Sequence, residues 1–88
     1  MRRELDFFKQ EELDLVYMSR RLREALALEL VLTQAEIDYF VEPGTYLGGF
    51  LFKRELTGAF FYVAPDDTPR TREILLRNRY KPYVKETV

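Results

Sequence analysis

Two strand-then-helix pairs follow one another in this chain, and that order constrains its fold more than any other feature. Leu13-Asp14-Leu15-Val16-Tyr17-Met18 is short, carries β-branched and aromatic residues, and stops at Ser19, as a strand does. From Arg20 to Gln34 the composition turns to Leu, Ala, Arg and Glu, all strong helix formers. Ser19 stands where a helix N-cap is useful. Leu22, Ala25, Leu26, Leu28, Val31 and Leu32 follow the helical period and predict a wide buried stripe; Ala27 and Leu30 add apolar surface beyond it. The second pair is Ala59-Phe60-Phe61-Tyr62-Val63-Ala64, the strongest strand by propensity, and a helix opening at Asp66-Asp67-Thr68-Pro69. That helix is expected to reach about Arg79, to bury Ile74 and Leu75, and to pair Glu73 with Arg77. Asn78, near its end, suits a left-handed conformation.

Between the pairs, Ile37-Asp38-Tyr39-Phe40-Val41-Glu42 alternates with Ile37, Tyr39 and Val41 on one face, and Pro43-Gly44 is expected to end this strand. All four glycines fall at Gly44, Gly48, Gly49 and Gly58, which predicts a flexible connection. Within it, Phe50-Leu51-Phe52 is either a short strand or a loop apex, and Tyr83-Val84-Lys85 is a candidate last strand. The expected class is α+β: a ferredoxin-like βαββαβ domain over residues 13–88, an antiparallel sheet with two helices on one face. Residues 1–12 mix Leu5, Phe7 and Phe8 with charges and form an N-terminal arm or extra element.

Such a sheet leaves its second face open, and the aromatic residues outnumber the places one helix-covered core provides. Phe40, Phe60, Phe61 and Tyr62 are therefore expected to form a subunit interface in a homo-oligomer, a dimer or a trimer.

The stretch Val16 to Val41 with Ala59 to Leu76 resembles a small bacterial family of uncharacterised function, described as prokaryotic signal-transducing proteins. The match rests on Leu15-Val16-Tyr17, on the helix Ala25 to Leu32 with Thr33-Gln34-Ala35-Glu36-Ile37, on Asp66-Asp67 and on Ile74-Leu75-Leu76. Where that family carries glycine after the helix, this chain carries Glu36. The resemblance implies a fold like that of the PII-type nitrogen regulators, ferredoxin-like trimers whose loop between the second and third strands contacts target proteins. Gly44 to Gly58 holds the equivalent place, with Gly44, Tyr46, Gly48, Gly49, Lys53 and Arg54 as the partner loop for an unknown protein partner. The PII nucleotide-binding motifs do not occur here, so ATP and 2-oxoglutarate are not carried over.

The chain has no Cys, no His and no Trp, which removes the thiolate nucleophile, the usual general base and the commonest transition-metal ligands. No catalytic residue, metal ligand or cofactor is expected. Gly44-Thr45-Tyr46-Leu47-Gly48-Gly49 lacks the Gly-Lys-Ser/Thr ending of a phosphate loop. Asp66 and Asp67 read as caps rather than an acid pair. Arg20, Arg21 and Arg54 are the candidates for an anionic metabolite held between subunits, although arginines at a helix start equally make a polar face.

Residues 70–88 carry six basic and two acidic side chains, whereas 25–69 carry two basic and seven acidic ones. A nucleic-acid surface of Arg70, Arg72, Arg77, Arg79 and Lys81 is the alternative to a solvated helix face, and the latter is favoured. No stretch approaches the ~20 apolar residues of a membrane span, and the N-terminal residues lack the apolar core of a secretory signal. A cytoplasmic, non-enzymatic regulatory or protein-interaction module is the expectation.

Overall fold

The strand-forming runs pair and the helix-forming runs cover them. In chain order the elements are β1 (Asp14–Ser19), α1 (Leu22–Gln34), β2 (Tyr39–Gly48), β3 (Arg54–Val63) and α2 (Thr68–Arg77), with 3-10 turns at Leu5–Phe8 and Pro65–Asp67. The computed structural model describes residues 1–48 and 54–84, with 45–48 and 54–57 described by their backbone. The sheet has the order β1-β3-β2, and β3 is antiparallel to both neighbours. β1 and β2 therefore run parallel, with α1 as the crossover between them. The class is α+β, a three-stranded antiparallel sheet with two helices.

Alternation along the strands decides the two faces. Tyr39, Phe61 and Val63 share one face and meet Leu28 and Leu32 of α1 and Leu75 of α2; each is no more than 2% exposed. Ile37, just before β2, joins them, as its alternation with Tyr39 predicts. A bulge in β1 sets Leu15 opposite Tyr62 and Tyr17 opposite Phe61, leaving Val16 as the extra residue. Val16 thereby reaches the core, while Leu15 and Met18 stand opposite Tyr62 and Phe60 on the back. Phe61, expected at a subunit interface, is instead fully buried beneath the helices, because it shares the parity of Val63. Phe40, Phe60 and Tyr62 have the other parity and lie half-buried on the back face, with the Phe40 and Tyr62 rings 6.0 Å apart.

Pro43-Gly44 does not end β2. The pairing continues from Tyr39↔Val63 to Gly48↔Arg54, so most of the expected loop is a two-stranded ribbon that runs past the end of β1. Gly49 to Lys53, including Phe50-Leu51-Phe52, lie outside the described residues. Two details reconcile proline and glycine with a strand. The N–H and C=O of Tyr39 bond outward to the arm, so by alternation Pro43 also turns its nitrogen away from β3 and costs no ladder bond. The Phe60 ring lies over Gly44, where an added Cβ would run into it.

Both helices close in the same way. Ile37 N–H bonds to Leu32 O and Glu36 N–H to Thr33 O, with Glu36 at φ 60°. Tyr80 N–H bonds to Leu75 O and Arg79 N–H to Leu76 O, with Arg79 at φ 65°. These are Schellman motifs whose left-handed residue carries a side chain instead of being glycine. The left-handed residue after α2 is thus Arg79, one beyond Asn78.

α2 opens as expected, with Asp67 at its N-cap and Pro69 in the first turn, whereas the start of α1 differs. α1 begins at Leu22 with Arg21 as its N-cap and no side-chain capping bond. Ser19 is buried, and its hydroxyl lies 3.0 Å from both Arg21 O and a Glu24 carboxylate oxygen. Asp67 makes no capping bond either. The Thr68 hydroxyl instead donates to Asp14 at 2.6 Å, tying the start of α2 to β1. On α1 the buried stripe is Ala25, Leu28 and Leu32, whereas Leu22 and Leu26 face solvent with Leu30.

The segments before β1 and after α2 flank the sheet. Met1 O accepts from Tyr39 N–H at 3.1 Å and Arg3 N–H donates to Tyr39 O at 2.8 Å, laying the arm along β2. Arg3 also pairs with Asp38 at 2.9 Å and sits over the Phe7 ring. At the other edge, Tyr80 meets Tyr17 edge-to-face, centroids 5.5 Å apart, and Tyr83 N–H donates to Val16 O at 2.7 Å.

Candidate functional site

The turn that leaves β1 and enters α1 carries Arg20 and Arg21, two of the three residues expected to hold an anion. The segment after α2 passes beside β1 and brings Lys81 and Tyr83 to the same place. Together with Tyr17, Arg20, Arg21 and Glu24, they line an open cleft of about 1120 Å³. Three of these side chains are cationic and one is a carboxylate. Glu24 is turned toward Ser19, and it also acts on the Tyr17 hydroxyl. Burial, reinforced by the hydrogen bond to Glu24, pushes Tyr17 up to about 12, so the phenol is neutral throughout the physiological range. Arg21 and Lys81 have no ion-pair or hydrogen-bond partner for their charged groups among the described residues.

Arg54, the third expected residue, stands elsewhere. Ser19 is opposite Ala59, and Arg54 lies five residues further along β3, roughly 17 Å away at a strand's rise. The partner-loop residues divide similarly. Gly44, Tyr46 and Gly48 belong to β2, Arg54 opens β3, and Gly49 and Lys53 lie outside the described residues. The place expected for a partner loop is thus held by paired strands up to Gly48 and from Arg54.

The arginines of α2 face separate tasks. Arg70 reaches across to Ala35 O, and Arg77 pairs with Glu73 at 2.5 Å, as the i,i+4 spacing predicts. Among the described residues no cluster of three or more acidic groups, histidines or cysteines could hold a metal ion, and no helix is long and apolar enough to cross a membrane.

Sequence reasoning placed apolar surface beyond the buried stripe of α1 at Leu30, but missed that Leu22 and Leu26 join it there. Leu22, Leu26 and Leu30, at i, i+4 and i+8, are 77%, 56% and 58% exposed. The signal was present: with Leu28 and Leu32 on one face, the leucines left over fall into a second row of the same spacing. Lys81, Tyr17 and Tyr83 were equally invisible as a group, since only the tertiary structure brings positions so far apart in sequence together. No family model matches the chain, and neither does any curated protein or solved structure.

Proposed function

We propose that the protein is a non-enzymatic regulatory or protein-interaction module that works as a homo-oligomer, with α1 at the contact between copies. The exposed row Leu22, Leu26, Leu30 carries this reading. Soluble chains rarely leave a continuous apolar strip on one helix in water, and a second copy of the same strip covers it with no new chemistry. The half-buried back-face residues Phe40, Phe60 and Tyr62 supply a second apolar surface, beside Leu5 of the arm and Leu13 at one end.

The finer topology proposed is the ferredoxin-like βαββαβ arrangement. The order β1-β3-β2 and the bond from Tyr83 N–H to the outer edge of β1 support it, since the fourth strand belongs at that edge. The kinship with the signal-transducing family is proposed on the same footing, supported by the left-handed turn at Glu36 where that family carries glycine.

Sedimentation equilibrium tests the oligomer. A dimer or larger assembly is expected for the unaltered chain and a monomer for Leu26→Glu, with the fold retained by circular dichroism. An unaltered chain that stays monomeric at about millimolar concentration would remove the proposal. Dissociation by Phe40→Glu, with Leu26→Glu still assembled, would move the contact to the back of the sheet.

A further inference from the structure

We infer that the cleft between the β1–α1 turn and the segment Lys81–Val84 binds a small, multiply charged oxyanion within a single copy of the chain. Three observations meet there. The cleft is large enough for a small-molecule ligand, at about 1120 Å³, while staying open on one side. Among the described residues its charged lining is Arg20, Arg21 and Lys81 against Glu24. That carboxylate is already engaged by the Ser19 hydroxyl at 3.0 Å and by Tyr17, so it neither neutralises Arg21 nor Lys81.

Elsewhere the basic side chains facing acidic neighbours are spoken for. Arg2 lies 3.4 Å from Glu29, Arg3 lies 2.9 Å from Asp38, and Arg77 lies 2.5 Å from Glu73. Other exposed cations without partners among the described residues exist, such as Lys9 and Arg23, but they do not line this cleft. The distinguishing feature is that two cations without a partner among the described residues, about sixty residues apart in sequence, share one concave surface.

The placement is held by structure rather than by chance approach of chain ends. The Tyr17–Tyr80 edge contact and the bond from Tyr83 N–H to Val16 O fix the returning segment beside β1. Guanidinium and ammonium groups then offer the ligand N–H donors and positive charge. Phosphate and carboxylate groups share the chemistry that this lining recognises. The site is complete in one copy, so it stands whether or not the chain self-associates.

Titration of ¹⁵N-labelled full-length chain with inorganic pyrophosphate and, separately, with citrate tests the site at low salt. Amide shifts are expected to concentrate at Tyr17, Arg20 to Glu24, Lys81 and Tyr83, and to saturate. Arg21→Ala and Lys81→Ala should each weaken binding about threefold or more, and raising the salt should weaken it further. Arg79→Ala serves as the control for general surface charge and should leave affinity within about twofold. Tighter binding of pyrophosphate points to phosphate-bearing ligands, and tighter binding of citrate to polycarboxylates. No saturable shift with either anion, or equal weakening by Arg79→Ala, would overturn the inference; the same spectra show whether each variant is folded.

Discussion

Phe60 and Phe61 are neighbours in β3 with opposite surroundings. Phe61 is wholly enclosed among Val16, Tyr39, Val63 and the two helices, whereas Phe60 lies half-buried on the back, over Gly44. The side chains have the same chemistry, so the difference comes from parity alone: a strand sends successive residues to opposite faces. Burial behind the helices gives Phe61 the full benefit of removal from water. The back face gives Phe60 only part of it, and what remains is available to another surface.

The largest test of this contrast is truncation. Phe61→Ala should cost about 3–5 kcal/mol of stability in chemical denaturation, which a domain of this size hardly survives. Phe60→Ala should cost about a third of that in the monomer, because partial burial carries less transfer energy and the site opens to solvent instead of leaving a closed void. Equal losses at the two positions would break the contrast between the faces.

A smaller test addresses the contact that makes the back face close-fitting. Gly44→Ala puts a methyl group where the Phe60 ring lies, and should cost about 1–3 kcal/mol through the displaced ring. A neutral result would mean that the ring moves aside freely, leaving the back face a loosely held layer.

The smallest effect is expected in alkali, on the covered side. Tyr17, opposite Phe61, ionises at about 12 in the folded chain against 10.0 for an unburied phenol. A raised folded value means that the neutral form is held more firmly in the native state. Its contribution is fully present below about pH 10 and is lost as pH rises toward 12. Denaturation curves at pH 9 and 11.5 should show stability falling, with a shallower fall for Tyr17→Phe. Tyr39 and Tyr62 are also shifted upward by burial and keep part of the slope.

Much of the fold was legible because alternation and helical period report directly on faces. Ile37, Tyr39 and Leu75 were readable in this way, as were both helices and the presence of all three strands. The ribbon was not, because Pro43 and the glycines are strand breakers by propensity, and only pairing with β3 shows that Pro43 sits where its missing N–H is not needed. The helix ends were half legible. Glu36 occupies the place of an expected glycine, and the bonds to Leu32 and Thr33 still hold it left-handed. The site was legible only as far as Arg20 and Arg21 stand together. Arg54 shared their charge and not their neighbourhood, while Lys81 and Tyr83 arrive through the path of the chain after α2.

Pro43 has a consequence beyond the accommodation of one ring in β2. Its nitrogen faces the outer edge, where an added strand would look for a donor, and the arm already occupies the same edge at Tyr39. A neighbouring chain that tried to extend the sheet there would meet a gap in the row of donors and an obstruction at its end. Fibre growth by strand addition is thus checked on that side, whatever apolar surface the molecule exposes elsewhere.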